Sequence, residues 1–196
     1  MKRIFDIFFS FWGLLLLSPL FLVLAVWISL DSRGSVFYRQ LRVGRGNRDF
    51  RLIKFRSMRT DADKAGLITV GGHDPRITRS GYFIRKYKLD ELPQLINVLK
   101  GDMSLVGPRP EVRKYVDMYT PEQLHVLDVR PGITDEASIR YRNENELLAT
   151  ADDPECFYIE TVMPDKLRIN LQYVNNHSFM GDIGIIMLTL RAVFTN

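Results

Sequence analysis

The amino-acid sequence predicts a mixed α/β fold that is mostly α-helical, with an N-terminal membrane segment and a compact body behind it. Two observations support this prediction. Residues 7–30 form an apolar run without a single charged side chain, and the rest of the chain alternates short strand-like runs with amphipathic helical patterns. A length of 196 residues leaves room for one domain besides the apolar segment.

The apolar run is interrupted near its middle by Ser18-Pro19. As one straight helix, residues 7–30 would extend about 36 Å, enough for a hydrocarbon core of about 30 Å. Pro19 lacks an N–H and clashes with the carbonyl four residues earlier, so the helix must kink or break, and the Ser18 hydroxyl can bond a freed carbonyl. Two geometries remain open: a kinked spanning helix, or a helix-break-helix that enters and leaves by one face.

Basic residues flank the apolar run on both sides. Lys2 and Arg3 precede it, and a richer set follows it, namely Arg33, Arg39, Arg42, Arg45 and Arg48. Positive residues prefer the cytoplasmic side of a membrane. Two basic flanks favour the one-face geometry, and the richer second flank predicts a cytoplasmic body.

The composition narrows the classes of partner. With 27 basic and 23 acidic residues, the net charge of +4 suits an anionic membrane surface or a phosphorylated substrate. Nucleic acid is not expected, because the sequence shows no zinc-ligand spacing, basic helix or aromatic RNA-binding signature. The single Cys156 cannot form an internal disulfide, which fits a reducing cytoplasm, and we expect it to be a buried small residue.

For the first part of the body, the sequence predicts a hairpin, a loop and two helices. We predict strands over residues 36–38 and 50–55, joined by a turn over residues 43–47. We predict a loop over residues 60–75. A short helix is predicted over residues 79–88. A clearer helix begins at Asp90 as N-cap and ends at Gly101, with an apolar face that consists of Leu92, Leu95, Ile96 and Leu99.

The second part of the body predicts helices separated by rigid Pro/Gly turns. Residues 107–110 and 130–134 are the turns, and helices are predicted over 111–119, 121–127, 164–175 and 179–194. The last helix carries an apolar stripe at positions 183, 186, 187, 190 and 193. Packing into the core is slightly favoured for this stripe over a position on the membrane surface.

Asp90-Glu91 is the candidate for chemistry. A helix N-terminus attracts anions and keeps a carboxylate ionised, and successive helical residues point about 100° apart, so the two carboxylates can differ in role. One can be a nucleophile while its neighbour holds a metal or takes a proton. Simple helix capping is the alternative for the pair alone.

Cationic side chains surround the carboxylates in the sequence. Arg109 is fixed between two prolines, Arg130 precedes a Pro-Gly turn, and the others are Lys54, Arg56, Arg76, Arg79 and Arg85. The planar guanidinium fork suits phosphate oxygens, although a single arginine is more often a solvated surface charge. Together with the carboxylates and the membrane segment, these residues predict a diphosphate site at the bilayer surface.

Several motifs resemble those of the bacterial sugar transferases, in particular the small monotopic phosphoglycosyl transferases. The matching stretches are residues 54–58 (KFRSM), 74–81 (DPRITRSG), Arg85, 89–110 (LDELPQLINVLKGDMSLVGPRP) and 130–134 (RPGIT). Ser18-Pro19 is similar to the re-entrant helix break of that family. The resemblance therefore implies a re-entrant helix hairpin over residues 1–32 and a cytoplasmic catalytic domain over residues 33–196, with short strands and amphipathic interfacial helices.

The resemblance also implies a reaction. Such enzymes transfer a phospho-sugar from a UDP-sugar to polyprenyl (undecaprenyl) phosphate, release UMP and start the synthesis of a surface glycan. Asp90 would be the nucleophile of a covalent intermediate, Glu91 its catalytic partner, and Mg²⁺ the cofactor, bound at Asp90. Phosphate or substrate binding would fall to Lys54, Arg56, Arg85, Arg109 and Arg130. The implied location is the bacterial inner membrane, with the catalytic domain on the cytoplasmic face.

One segment departs from the family pattern. After residues 130–134 many relatives continue with glycine, an aromatic residue, alanine and glutamine, whereas this chain has Asp135–Asn145. The segment lies either near the sugar or uracil, or in a solvated charged loop, so the sugar remains open. Two other functions also remain open: direct transfer with Asp90 only as a metal ligand, and a non-catalytic membrane-anchored scaffold. A homo-oligomer is neither predicted nor excluded.

Overall fold

The computed structural model describes residues 1–60, 62, 66, 71 and 74–194, and for residues 193 and 194 the backbone only. Within these residues the fold is mixed α/β and mostly helical, as predicted. The loop predicted over residues 60–75 lies largely outside the described residues. The division into residues 1–32 and 33–196 stays a prediction.

Helix α1 (Lys2–Asp31) contains the whole apolar run, with Pro19 inside it. Pro19 cannot donate to the Leu15 carbonyl, four residues earlier, and the Ser18 hydroxyl donates to that carbonyl instead over 2.7 Å. Among the described residues, α1 is the one helix that is long and apolar enough to cross a membrane. The helix is assigned as continuous through Pro19, so the break itself stays a prediction.

The N-terminal end of α1 is bound to the body by buried polar contacts. The Arg3 guanidinium donates to the Val98 carbonyl over 2.7 Å, and Lys2 pairs with Asp182. The buried Asp6 carboxylate accepts hydrogen bonds from the Ser104 hydroxyl at 2.9 Å and from a backbone N–H next to it. These bonds satisfy an otherwise costly buried charge inside an apolar helix.

The C-terminal end of α1 is bound to the same body. Asp31 accepts hydrogen bonds from the Ser80 N–H and hydroxyl, at 2.9 and 2.8 Å, and these bonds lower the pKa of Asp31. The Arg56 guanidinium donates to the Ser32 carbonyl over 2.6 Å. Nearby, α1 contributes to a core cluster with the rest of the body, formed by Leu24, Ile28, Phe55 and Ile84.

Strands β1 (Phe37–Val43) and β2 (Asp49–Phe55) form the predicted antiparallel hairpin. Phe37 pairs with Phe55 at the open end and Val43 with Asp49 at the turn. The turn contains Gly46 at φ 65°, a left-handed conformation that glycine adopts without a side-chain clash. The hairpin carries Lys54 and Arg56 on its second strand and on the residue after it.

The segment around Asp90 differs from the prediction. Helix α2 (Arg79–Lys86) begins at the predicted residue, but the next α-helix, α3 (Gln94–Lys100), starts only at Gln94. Between them Lys88 is left-handed at φ 55°, followed by a single 3-10 turn, Leu89–Glu91, which we call the dyad turn. Asp90 is therefore not the N-cap of the helix. The prediction was wrong because the left-handed residue and the tight turn delay the start of α3.

The buried face of α3 is also different from the predicted apolar face. Gln94, Asn97 and Val98 are buried, whereas Leu92 and Leu95 are only partly covered. The Asn97 amide oxygen accepts from the N–H of Ile53 on β2 over 2.9 Å, and its NH₂ group donates to a carbonyl on the same strand. A buried polar side chain with satisfied bonds thus holds α3 against β2. The leucines face α1 and its surroundings instead.

The middle of the chain contains a parallel strand pair that the sequence did not predict. β3 (Ser104–Val106) pairs with β4 (Gly132–Thr134). Next to this pair, a Cβ added to Gly132 would lie 2.1 Å from the Gly107 nitrogen, so only glycine allows this approach of the two turns. The two predicted Pro/Gly turns are therefore packed against each other.

Short helices complete the body. Residues 111–119 contain only α4 (Arg113–Val116), and residues 123–128 form a 3-10 helix, so both predicted helices are shorter or tighter than expected. The other short helices are α5 (Glu136–Arg140), α6 (Glu144–Leu148) and α7 (Pro154–Phe157). Cys156 on α7 is exposed, so its predicted burial was wrong, because the neighbouring Phe157 supplies the contact with the core.

The chain ends in two long helices that match the prediction. A π-helical turn, Tyr158–Val162, leads into α8 (Met163–Asn176), and α9 (Phe179–Phe194) has the predicted bounds. Tyr158, Val162 and Leu167 lie in the largest core cluster, with residues of α4. On α9, however, Met187 and Leu190 are 62% and 49% exposed, so core packing was the wrong choice for that part of the stripe.

Candidate active site

A cavity of about 580 Å³ lies beside the dyad turn, and we call it the first cavity. The hairpin, the turn after β3, α4 and α8 supply its walls. Among the residues lining it are four of the predicted site residues with charged side chains next to the turn, namely Lys54, Arg85, Asp90 and Arg109. The structure therefore brings together residues that lie far apart in the sequence.

Asp90 is only 7% exposed, yet it lines the first cavity. Its carboxylate takes part in no hydrogen bond or ion pair with the described residues. Burial raises the pKa of Asp90 above the ordinary value, and the Lys54 ammonium opposes that effect without cancelling it. An unpaired carboxylate that costs energy to keep ionised is a stronger nucleophile than a solvated one.

Glu91 has a different environment, because it is fully paired. The Arg109 guanidinium binds it through both terminal nitrogens, one bond measuring 3.1 Å, and Lys54 Nζ lies 3.5 Å from its carboxylate. Burial alone would raise the pKa of Glu91, but Arg109 and Lys54 outweigh burial and hold the pKa below its usual range. Glu91 therefore stays ionised and fixes two cations beside Asp90.

The pKa values of Lys54 and Arg109 are shifted in opposite directions. Burial lowers the pKa of Lys54, although Glu91 partly compensates. The Glu91 carboxylate raises the pKa of Arg109, which therefore keeps its charge throughout the working range of a protein. Neighbouring carboxylates with pKa values pushed apart, one held by cations and one free, are typical of sites that perform chemistry.

The backbone of Arg109 is fixed as well as its side chain. Its N–H donates to the Asp135 carboxylate over 3.1 Å, and the same carboxylate caps α5 by accepting from the Ser138 N–H over 2.7 Å. Asp135 is 1% exposed. The segment that departs from the family pattern thus begins with a buried residue that orients Arg109, and a purely solvated loop is wrong for that position.

The other predicted binding residues are placed differently. Arg56 lines the first cavity, but one guanidinium nitrogen binds the end of α1, and its Nε and Nη1 are buried without partners among the described residues. Arg130 donates from Nε to the Gly101 carbonyl over 2.9 Å and does not line the cavity. Arg85 lines the cavity and belongs to no ion pair in the described part of the chain.

Sequence reasoning missed a polar network deeper in the first cavity. Arg42 pairs with Glu111 at 3.0 Å, and Glu111 also accepts from the Tyr158 hydroxyl. All three residues line the cavity. Burial and Arg42 act in opposite directions on Glu111, whose pKa is lowered. The alternation of strand β1 could have indicated Arg42, but no local pattern links it to Tyr158.

A magnesium ion fits this site only together with a substrate. The described residues contain no group of three or more His, Cys, Asp or Glu side chains able to hold a metal. Mg²⁺ is commonly bound by one or two carboxylates plus substrate phosphates, and Asp90 offers a free carboxylate beside the cavity. Glu91 is already bound by Arg109.

The sequence is similar to those of known sugar transferases. The family model for bacterial sugar transferases matches residues 1–196. A UDP-N-acetylgalactosamine-undecaprenyl-phosphate N-acetylgalactosaminephosphotransferase of Aeromonas hydrophila is 42% identical over 99% of this chain and 44% of its own length. An undecaprenyl-phosphate glucose phosphotransferase of Komagataeibacter xylinus is 41% identical over 97% of this chain and 35% of its own length.

A third relative has nearly the same length as this chain. An exopolysaccharide production protein of Rhizobium leguminosarum bv. phaseoli is 39% identical over 100% of this chain and 96% of its own length. The chain thus spans less than half of the first two relatives and almost all of the third. Because the family match covers every residue and the matched motifs surround one cavity, the chain belongs to the bacterial sugar transferase family.

Proposed function

We propose that this protein transfers a phospho-sugar from a UDP-sugar to polyprenyl phosphate, through a covalent intermediate on Asp90. The main support is the unpaired, buried Asp90 carboxylate beside a cavity lined by Lys54, Arg85 and Arg109. The names of two relatives, an N-acetylgalactosaminephosphotransferase and a glucose phosphotransferase that act on undecaprenyl phosphate, support the substrate classes. They differ in the sugar, so the class of donor is a UDP-hexose or UDP-N-acetylhexosamine.

The transfer consists of two displacements at one phosphorus atom. An Asp90 carboxylate oxygen attacks the phosphorus that bears the sugar, and the bond to the bridging oxygen breaks, so UMP leaves. The polyprenyl phosphate oxygen then attacks the same phosphorus, which releases the Asp90 carboxylate and forms a polyprenyl diphosphate sugar. Two displacements allow a soluble donor and a lipid acceptor to use the same nucleophile in turn.

The cations neutralise the charge that both steps develop. A carboxylate that attacks a diphosphate meets like-charge repulsion, and Lys54, Arg85 and Arg109 would offset it. Glu91 acts as a positioning residue, because it holds Arg109 and Lys54 in place. Asp90 would hold Mg²⁺, which would supply Lewis-acid stabilisation of the leaving UMP.

The attachment of α1 supports entry from one membrane face. Its 30 residues would reach about 45 Å if straight, but both ends are bound to the same body, through Asp6 at one end and Asp31 at the other. A helix that crossed the bilayer would place those ends on opposite sides. We therefore propose a re-entrant segment bent near Ser18-Pro19, with the body on the cytoplasmic face of the bacterial inner membrane.

The proposed function predicts that repeated turnover needs a UDP-sugar, the lipid acceptor and Mg²⁺ together, because without the lipid each protein molecule can release at most one UMP. With purified protein in detergent, a panel of UDP-sugars, undecaprenyl phosphate and Mg²⁺ should give UMP for at least one sugar. Chelation with EDTA should remove at least about 90% of the rate and added Mg²⁺ should restore it. Luminescent detection of UMP measures this rate directly.

Intact-mass spectrometry without the lipid separates the possible mechanisms. A mass increase equal to one phospho-sugar, lost on addition of undecaprenyl phosphate, supports the covalent intermediate. If no adduct forms without the lipid under any quench, although UMP is released once undecaprenyl phosphate is added, direct transfer with Asp90 as a metal ligand is favoured. Lipid binding without nucleotide chemistry for any UDP-sugar would favour a scaffold and contradict the proposal.

A second prediction concerns the topology of α1. Single cysteines placed after Met1 and at Ser35, in a Cys156→Ser background, should both react with an impermeant maleimide only after the inner membrane is opened. Both positions should behave like the exposed native Cys156 of the unmodified protein, which reports the side of the body. Labelling of the first position alone in intact spheroplasts would show a spanning helix.

A further inference from the structure

A second cavity of about 800 Å³ lies on the other side of the dyad turn. Its walls come from the N-terminal half of α1, from α3 and from α9, and are mostly apolar. The side chains that define it are Phe5, Phe9, Leu92, Leu95, Ile186 and Leu190. A concave, mostly apolar surface of this size with a few charged groups is typical of a ligand-binding cleft.

The second cavity meets the first at the charged groups of the site. Asp90 lines only the first cavity and Glu91 only the second, while Arg85 and Arg109 line both. A ligand in the second cavity therefore ends beside the same arginines that face the nucleophile. Two substrates, one in each cavity, can therefore both reach these arginines even if the two cavities are not connected.

The polar end of the second cavity is positive. The charged side chains that line the cavity are five cations and two carboxylates, namely Arg85, Lys86, Lys88, Arg109, Arg142, Glu91 and Glu146. Arg85 and Lys88 form no ion pair among the described residues. A cavity with apolar walls and free cations at one end fits an amphiphile that has a hydrocarbon chain and an anionic phosphate head.

Part of the apolar lining of the second cavity is exposed on the surface of the protein. Phe9 on α1 and Leu190 on α9 line the cavity and are 50% and 49% exposed. They are continuous with the exposed apolar face of α1, which includes Leu16 at 74% exposure. A lipid chain can therefore enter sideways from the bilayer without passing through water.

We propose that the second cavity binds the hydrocarbon chain of the lipid acceptor, a long-chain prenyl monophosphate, and that its phosphate binds at Arg85 and Arg109. This inference rests on the proposed function and adds the location of one substrate. The surface of the second cavity is mostly apolar, which suits a hydrocarbon chain, whereas polar and apolar surface are about equal in the first cavity, which suits a nucleotide sugar. The nucleotide sugar and the lipid thus approach the dyad turn from opposite sides.

A matched pair of substitutions on α9 tests the proposal. Leu190→Trp narrows the second cavity, whereas Leu188→Trp changes a leucine of almost equal exposure, 50% against 49%, that does not line it. Both variants alter the membrane-facing surface alike. We expect Leu190→Trp to raise KM for undecaprenyl phosphate at least tenfold, with KM for the UDP-sugar unchanged, and Leu188→Trp to match the wild type.

The length of the acceptor's hydrocarbon chain provides a second test. Farnesyl phosphate occupies less of the cavity than undecaprenyl phosphate, so Leu190→Trp should affect it at least threefold less. Equal acceptor KM values for the two tryptophan variants would overturn the proposal, as would equal losses for both chain lengths. If the wild type gives no UMP with any UDP-sugar, the proposed function has failed instead, which separates the two outcomes.

A binding measurement covers the case of a variant that folds poorly. In Asp90→Asn protein, a diazirine-bearing prenyl phosphate should label peptides of α1, α3 or α9, and undecaprenyl phosphate should compete. Labelling confined to other peptides would contradict the proposed location.

Discussion

Asp90→Asn is expected to lower the rate of UMP formation by on the order of 10⁴-fold or more, because an amide cannot form the covalent intermediate. The substitution is almost isosteric and removes a carboxylate that has no partner among the described residues, so the fold should not change. The UMP assay gives the rate and intact-mass spectrometry shows whether the phospho-sugar adduct is lost. Asp117→Asn, at an exposed aspartate outside both cavities, is the control and should behave like the wild type.

The pH dependence gives an independent readout for Asp90. Burial raises the pKa of Asp90, so the protonated, unreactive form persists to higher pH than for an ordinary aspartate. Since kcat/KM reports the free enzyme, kcat/KM for the UDP-sugar should fall on the acid side at a pH above the usual aspartate range. Turnover by Asp90→Asn within tenfold of the wild type would refute the nucleophile assignment. The Glu91→Gln variant should turn over slowly but should still form some of the phospho-sugar adduct.

Arg109→Ala is expected to lower kcat/KM for the UDP-sugar by about 10²- to 10³-fold, the usual effect of removing a group that stabilises transition-state charge. It removes one of the two cations that line both cavities and leaves Glu91 with Lys54 as its remaining ion-pair partner among the described residues. Arg109→Lys should recover only part of the loss, because an ammonium cannot reproduce the two-pronged bond to Glu91. UMP release at varied donor concentration measures both effects.

A double-mutant cycle separates positioning from direct contact. If Glu91 acts by holding Arg109, then Glu91→Gln should add little to Arg109→Ala, so the two losses will not be additive. Arg113→Ala is the matched control, because Arg113 forms exposed ion pairs and lines neither cavity. A loss of less than threefold for Arg109→Ala would contradict its role at the site.

The parts of the fold with strong local patterns could be predicted from the sequence. The bounds of α9 match the prediction, and α8 extends the predicted 164–175 by one residue at each end, because both helices are long and clearly periodic. The hairpin followed from two strand-like runs around a glycine-rich turn. Asp90, Lys54, Arg85 and Arg109 were predicted from a carboxylate pair near cationic side chains, to which the motif resemblance added roles, and all four line one cavity.

Features that depend on distant contacts could not be predicted. The β3–β4 pair consists of two three-residue strands far apart in the sequence, with no local signal for their parallel pairing. The orientation of α3 depends on Asn97, whose burial is compensated by hydrogen bonds to the distant strand β2 and to Asp102. The pKa of Glu91 is lowered while that of Asp90 is raised because Arg109, which lies on another loop, binds Glu91 and not Asp90.

The way α1 is built into the body limits how a water-soluble version could be made. Deleting the helix would remove Leu24 and Ile28 from their cluster with Phe55 and Ile84, and it would leave Ser104 without its buried carboxylate acceptor. A truncated protein would thus expose part of its own core and aggregate. Engineering for crystallisation or detergent-free assays should keep the helix and introduce polar residues at its outward positions, such as Leu16, Leu22 and Val23, which are 62–74% exposed.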